Sequence, residues 1–184
     1  MKRMEVRTRS PRLKTHLHGG IIEEKKRRNF QMKYTGTLIA VTDMEKSKTF
    51  YHDVLGLKVT ADFGANVTLD GGVVLQTMET WKELIQNDEI TLHNCASELY
   101  FEESDMDAFL SHLQNCGVSY VHPPLEHSWG QRAVRFYDLD HHIIEVGEDI
   151  TMVVKRFAAR NMTAVQIAKR MDVPEDFVRK CLTE

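Results

Sequence analysis

The sequence predicts an α+β fold made from one unit used twice, followed by a helical appendage. Three observations lead there. A strand–helix–strand–strand–strand pattern recurs along the chain. Each of the two helices is preceded by an aspartate (Asp43, Asp105) and closed by a glycine (Gly56, Gly117) at nearly equal spacing. After Gly147 the β-rich pattern gives way to helical periodicity. Repetition on this scale outranks any single motif as a guide to architecture.

The first unit opens at Tyr34 to Val41, a run of β-formers that reads as a strand. Asp43 can cap the helix DMEKSKTFYHDVLG, on which Met44, Phe50, Tyr51 and Val54 gather on one face. Strands follow near 57–63, 66–69 and 73–78, the last two joined by the turn Asp70-Gly71-Gly72. A helix-like insert, ETWKELIQ, and a short linker lead to the second unit. There, 99–102 reads as a strand and Asp105 caps DMDAFLSHLQNCG, with Phe109, Leu110 and Leu113 as its apolar face. Strands near 118–122, 132–137 and 142–146 complete the repeat.

Charge divides the chain. The net charge of −3 hides a leader, residues 1–31, with ten Lys and Arg against three Glu, and a remainder with 14 basic and 24 acidic residues. The leader has no apolar run after its basic start, so it is not a secretory signal. It reads as a disordered or non-native extension, with Met32 as the expected biological start; a basic arm for an anionic surface is the alternative. No apolar run approaches the roughly 20 residues of a membrane span. Three widely spaced cysteines (Cys95, Cys116, Cys181) suggest neither a disulfide framework nor a zinc ribbon. Free thiols fit a reducing compartment, so a cytoplasmic location is expected. GxSxG, P-loop, GxGxxG and HExxH motifs are all missing.

The segments AVTDMEKSKTFYHDVLGLKV, ELYFEESDMDAFLSHL and WGQRAVRFYDLDHHIIEVGE resemble the glyoxalase / bleomycin-resistance / extradiol-dioxygenase superfamily, the vicinal oxygen chelate fold. The resemblance covers about residues 33–148. It implies two βαβββ modules, about 33–78 and 98–148, forming a curved, cup-like mixed sheet in a domain of residues 32–148. It also implies a cup that holds a divalent metal or binds a small molecule directly, and metal ligands on the first and last strands of each module. At those places the chain has Gly36, Gln76, Glu98 and Glu145. Glycine carries no ligand, so the resemblance leaves Gln76, Glu98 and Glu145 as the metal set. Their oxygens suit Mg, Mn or Ca better than Zn, Ni or Fe.

Glu145 stands out without any resemblance. In Ile143-Ile144-Glu145-Val146, strand alternation puts a carboxylate on an otherwise apolar segment, which is costly unless it is paired, hydrated or metal-bound. Glu98 and Glu145 are candidate proton-transferring groups, and so is His127, whose type titrates near neutrality. Trp129, Tyr137 and Phe63 are candidates for lining the cup, and Arg132 for holding a substrate carboxylate or phosphate. The alternatives are a salt-bridged Glu145, a solvated Glu98, a hydrogen-bonded Gln76, rim packing for Trp129, an ion pair for Arg132 and an exposed loop for His127. His141 and His142 are not a metal pair, because neighbours on a strand face opposite ways. His141 sits where the family has a turn glycine, so positive φ with mild strain is expected there.

The tail, 149–184, predicts helices over about 150–159, 163–171 and 175–182, the last two with a helix-turn-helix look. Arg179 and Lys180 are its clearest basic residues, beside Glu175 and Asp176, which is weak for DNA readout. A small-molecule partner and a homodimer are expected; nucleic acid and membrane are not. Two functions compete: a glyoxalase-like lyase, isomerase or dioxygenase, and a metal-free binding protein of the bleomycin-resistance type. A ligand-sensing DNA-binding regulator comes third.

Overall fold

The computed structural model describes residues 30–183, so the basic leader lies outside the described residues except for its last two. Residues 30–34 carry no regular secondary structure. From residue 35 onward the chain forms two four-stranded sheets and six α-helices.

The first half is β1 (Thr37–Val41), α1 (Met44–Leu55), β2 (Val59–Asp62), β3 (Asn66–Leu69), β4 (Val73–Thr77) and α2 (Met78–Ile85). The second is β5 (Glu98–Glu103), α3 (Met106–Asn115), β6 (Ser119–Glu126), β7 (Arg132–Tyr137) and β8 (Ile143–Glu148). The sheets have the same order, β1-β4-β3-β2 and β5-β8-β7-β6, each with one parallel pair (β1–β4, β5–β8) and two antiparallel ones. The repeated unit is therefore realised as two mixed sheets of identical topology, open rather than closed into a barrel. This is the vicinal oxygen chelate arrangement.

Local chemistry explains the helix limits. Asp43 accepts from the Lys46 N–H and Asp105 from the Ala108 N–H, each satisfying a free first-turn donor. Gly56 (φ 71°) closes α1 in the left-handed region, its N–H bonding back to the His52 carbonyl at 2.8 Å. Tyr51 and Val54 of α1 join Met106 and Leu113 of α3 in one core. Val41, Leu69 and Leu75 of the first sheet and Val134, Phe136, Ile144 and Val146 of the second complete it. Both helices thus bury their apolar stripes in a core common to the two halves. Strand alternation then puts the odd-numbered residues of β7 and β8, and the even-numbered ones of β5, on the opposite, outer face of the second sheet.

β6 departs from its expected length. It runs on through Pro123 and Pro124 with two register shifts. Prolines are tolerated because β6 is an edge strand, where a missing N–H breaks no interior ladder.

A polar knot ties the halves together. Asp138, in the turn before β8, accepts from the Tyr51 hydroxyl (2.8 Å), the Asp140 N–H (3.0 Å), and the His142 N–H (2.8 Å) and ring Nδ1 (2.9 Å). Asp140 in turn accepts from the Thr42 hydroxyl at 2.7 Å. His141 takes the expected positive φ, 63°. Burial pushes the Asp138 carboxyl up, but the bonds from His142 and Tyr51 outweigh it and hold the group below the usual range. Burial pushes His142 down, but Asp138 outweighs it and His142 is raised.

The sign of the pH effect follows. The lowered Asp138 stabilises above its unfolded value and loses that contribution as pH falls through its folded one. The raised His142 stabilises below its unfolded value and loses that contribution as pH rises through its folded one. The pair therefore contributes most between about pH 4 and 6.5. Urea midpoints across pH 5–9 are expected to decline on the alkaline side, and His142→Gln is expected to flatten that decline. An unchanged slope in the variant would rule His142 out as its source.

The tail comprises α4 (Ile150–Ala159), α5 (Ala164–Met171) and α6 (Glu175–Thr183). Asp149 caps α4, and Thr163 with Gln166 forms a capping box on α5. The three helices share their own core of Val153, Val154, Phe157, Ile167, Met171 and Val178. The helix-turn-helix-like pair is therefore completed by α4 into a three-helix unit.

Candidate functional site

The outer face of the second sheet gathers most of the chemistry. On β5, Glu98, Tyr100 and Glu102 point outward. β8 contributes Glu145, and β7 contributes Arg135 and Tyr137. Parallel pairing sets Tyr100 opposite Glu145, and antiparallel pairing sets Glu145 opposite Arg135. The Arg135 guanidinium lies between two carboxylates: its Nε donates to Glu98 at 2.8 Å and its Nη2 donates to Glu145. The β6 irregularity brings His122 opposite Arg135. His122 donates from Nδ1 to the Pro123 carbonyl at 2.8 Å, which leaves Nε2 to face the guanidinium.

The two carboxyls differ electrostatically. Arg135 holds Glu98 below the usual carboxylate range. Glu145 is buried (6 % exposed), and that burial, reinforced by the neighbouring Glu98, raises its carboxyl despite Arg135. Two carboxylates with separated affinities are the arrangement expected of an acid–base pair.

Above this clamp lies an aromatic corner. His127 and Trp129, in the β6–β7 loop, stack with ring centroids 4.3 Å apart and planes within 7°. Burial, followed by the positive charge of Arg135, lowers the His127 pKa below the usual imidazole value. The Trp129 indole N–H reaches the Gln131 side-chain oxygen Oε1 at 3.3 Å, and the Gln131 side-chain amide donates to the Tyr100 hydroxyl at 3.2 Å. The Tyr100 hydroxyl donates to Glu102 at 2.9 Å.

Three sequence candidates do not join this group. Gln76 lies on the other sheet, with its side-chain oxygen held by Asn66 at 2.8 Å and its amide turned to Thr80. The register that sets Asn66 opposite Gln76 across the β3–β4 hairpin accounts for this. Arg132 is three residues from Arg135 and so faces the helix side, where it binds Glu148 (2.9 and 3.1 Å) and Asp107 (2.6 Å). Its donors serve an ion-pair network rather than the outer face. Phe63 is 78 % exposed beyond the end of β2. Tyr137 does lie on the outer face, where its ring meets His93 and His141 edge-on.

The metal set does not assemble. A side chain at Gly36 would put its Cβ 2.5 Å from the Gly72 carbonyl oxygen, so that position has no room for a ligand. Gln76 is committed to Asn66 and Thr80, while Glu98 and Glu145 grip a guanidinium. Among the described residues no group of three or more His, Cys, Asp or Glu is placed to hold a metal ion. These residues do not fit a resident divalent cation. They fit an internal cation, Arg135, supplied by β7.

Sequence reasoning overlooked Arg135, Tyr100, His122 and Gln131. Arg135 carried a usable signal: it shares parity with Tyr137 in Arg132–Tyr137, and a second arginine in one strand must face opposite to Arg132 when three residues separate them.

Two open βαβββ sheets with polar side chains on an outer face define the class of the vicinal oxygen chelate proteins. Residues 34–151 match the family model of the glyoxalase-like domain, and the chain belongs to that family, within the glyoxalase / bleomycin resistance / dioxygenase superfamily. Among curated proteins it is similar to the uncharacterised protein YraH of Bacillus subtilis (strain 168), 29 % identical over 124 residues that span 62 % of this chain and 97 % of YraH. A crystal structure of a protein of unknown function from Agrobacterium tumefaciens str. C58 is 35 % identical with a TM-score of 0.60, covering 67 % of this chain and 98 % of that one. A glyoxalase / bleomycin resistance protein / dioxygenase family enzyme from Burkholderia phytofirmans PsJN shares the fold, with a TM-score of 0.56 at 16 % identity over 64 % of this chain and 98 % of that one. Among the described residues no helix is long and apolar enough to cross a membrane.

Proposed function

We propose that this glyoxalase-like protein acts on a small molecule at the outer face of the second sheet, without a resident metal, by proton transfer through Glu145. One observation carries this reading: the Arg135 guanidinium sits between Glu98 and Glu145, where the family resemblance places metal ligands. A fixed cation beside a raised carboxyl supplies two needs of proton abstraction next to a carbonyl. The carboxyl takes or returns the proton, and the guanidinium offsets negative charge developing on oxygen. Glu98, Glu102 and Glu145 outnumber Arg135, which favours a substrate with a cationic or hydrogen-bond-donating group. Trp129, stacked on His127, offers a planar surface to its apolar part. Three free thiols support a cytoplasmic location.

The test begins with metal analysis of the purified protein, followed by a thermal-shift screen of small carbonyl compounds. Hits are incubated in D2O and exchange of the proton beside the carbonyl is followed by NMR. Glu145→Gln is expected to slow that exchange by about 10²–10⁴-fold while the hit still binds. Stoichiometric metal that is lost in Glu145→Gln would overturn the metal-independent reading. Binding with no exchange in the wild-type protein would instead favour a sequestering protein.

A further inference from the structure

The family match ends at residue 151, so most of the three-helix unit lies beyond it. The unit nevertheless presses on the loop that carries the aromatic corner. Arg156 of α4 donates from Nη2 to the Gly130 carbonyl at 2.5 Å, and from Nε and Nη2 to the Glu148 carboxylate at 2.9 and 2.8 Å. The Phe157 ring fills the space beside Gly130 so closely that a Cβ there would lie 2.2 Å from it, and Gly130 has a φ of 97°. The loop closes on itself through the Gly130 N–H to His127 carbonyl (2.8 Å) and His127 N–H to Gln131 carbonyl (2.9 Å) bonds. Gln131 also donates to the Glu148 carbonyl at 2.9 Å. An unbroken set of contacts thus runs from α4, through Gly130 and Gln131, to Trp129, His127 and Tyr100.

We propose that the C-terminal three-helix unit is a brace that positions the His127–Trp129 stack beside the Glu98–Arg135–Glu145 clamp, with Arg156 as its principal positioning residue. A short loop carrying two ring side chains loses considerable freedom in holding them parallel. The helical unit imposes that order before any ligand arrives, which lowers the cost of binding. Arg156 suits the task because its planar fork grips the Glu148 carboxylate through two nitrogens while also reaching the Gly130 carbonyl, a bidentate geometry that the single nitrogen of an ammonium does not reproduce. The ligand consequence rests on the function proposed above; the ring geometry does not.

The test uses the full chain with Trp81→Phe, which leaves Trp129 as the sole tryptophan. A protonated imidazole quenches an indole stacked on it, so Trp129 emission is expected to fall as pH drops through the His127 titration. Arg156→Lys, which keeps a cation near Glu148, is expected to abolish that pH-dependent step with the far-ultraviolet circular dichroism unchanged. Phe157→Leu is expected to do the same and serves if the first variant misfolds. Lys169→Ala, exposed on α5, is expected to leave the step intact. A folded Arg156→Lys or Phe157→Leu protein with the parent's emission profile would overturn the brace, as would a parent with no pH-dependent step. Loss of the step alongside unaltered binding of a screened compound would leave the brace standing and count against Trp129 as part of the binding surface.

Discussion

Glu148→Ala is expected to destabilise the protein by about 3–5 kcal/mol, the range for breaking a buried ion pair by removing one partner. The Glu148 carboxylate is 2 % exposed and is shared by two guanidinium groups, Arg132 from β7 and Arg156 from α4. Burial alone would raise its pKa, but the bonds from Arg156 and Arg132 outweigh that and hold the carboxyl below the usual range. Removing it takes away the buried carboxylate that the two largely enclosed arginines share, leaving Arg132 only Asp107 and Arg156 only Glu126 as counter-charges. It also removes one of the ties between the tail and the second sheet. Urea unfolding is the appropriate measurement, with the midpoint moving and the slope unchanged if the transition stays two-state. A double-mutant cycle with Arg156→Ala is expected to give strong coupling, since the two residues share one network. A loss under about 1 kcal/mol would put the pair with exposed salt bridges and refute the assignment.

The second large effect is expected at Asp138. Asp138→Ala strips the acceptor from four donors, among them the hydroxyl of Tyr51, whose side chain is fully buried. An enclosed donor left without a partner costs about 1–3 kcal/mol. Several together are expected to cost about 3–5 kcal/mol, because the groups are neighbours and do not add independently. Tyr51→Phe removes one donor while leaving Asp138 its other three, and is expected to cost about 1 kcal/mol. The ratio between these variants is the informative quantity. Equal losses would mean that the knot acts only through the tyrosine, and would remove the backbone N–H groups from the account.

Much of the fold could be read from the chain because its signals are local. Asp43 and Asp105 begin helices through their own side chains, Gly56 ends one through its own φ, and the strain at His141 follows from standing where a turn favours glycine. The candidate site was only half legible because it depends on register. Glu145 is conspicuous in an apolar strand, but the partner opposite it depends on how β7 and β8 slide past one another, and one residue of slip exchanges Arg135 for a neighbour facing the other way. Arg132 drew attention through its nearness to Trp129 in sequence, yet parity sends it to the helix side. A hydrogen-bonded Gln76 was foreseeable as an alternative, but its partner Asn66 is named only by the hairpin register. The three-helix tail was visible as periodicity, but its contact with the Gly130 loop joins residues 26 apart in the chain and has no sequence signal beyond the glycine itself.

The tight approach at Gly36 has a consequence for anyone redesigning this scaffold. Restoring a coordinating side chain there is the obvious first step toward a metalloenzyme, since two carboxylates already stand on the second sheet. Yet Gly36→His would drive its Cβ against the Gly72 carbonyl, which is main chain and cannot swing aside. The sheet edge would have to be rebuilt and the resident guanidinium evicted before a cation could be hosted. Hosting a cation on this scaffold would therefore take several coordinated changes, at Gly36, at Gln76 and at the Arg135 ion pairs together.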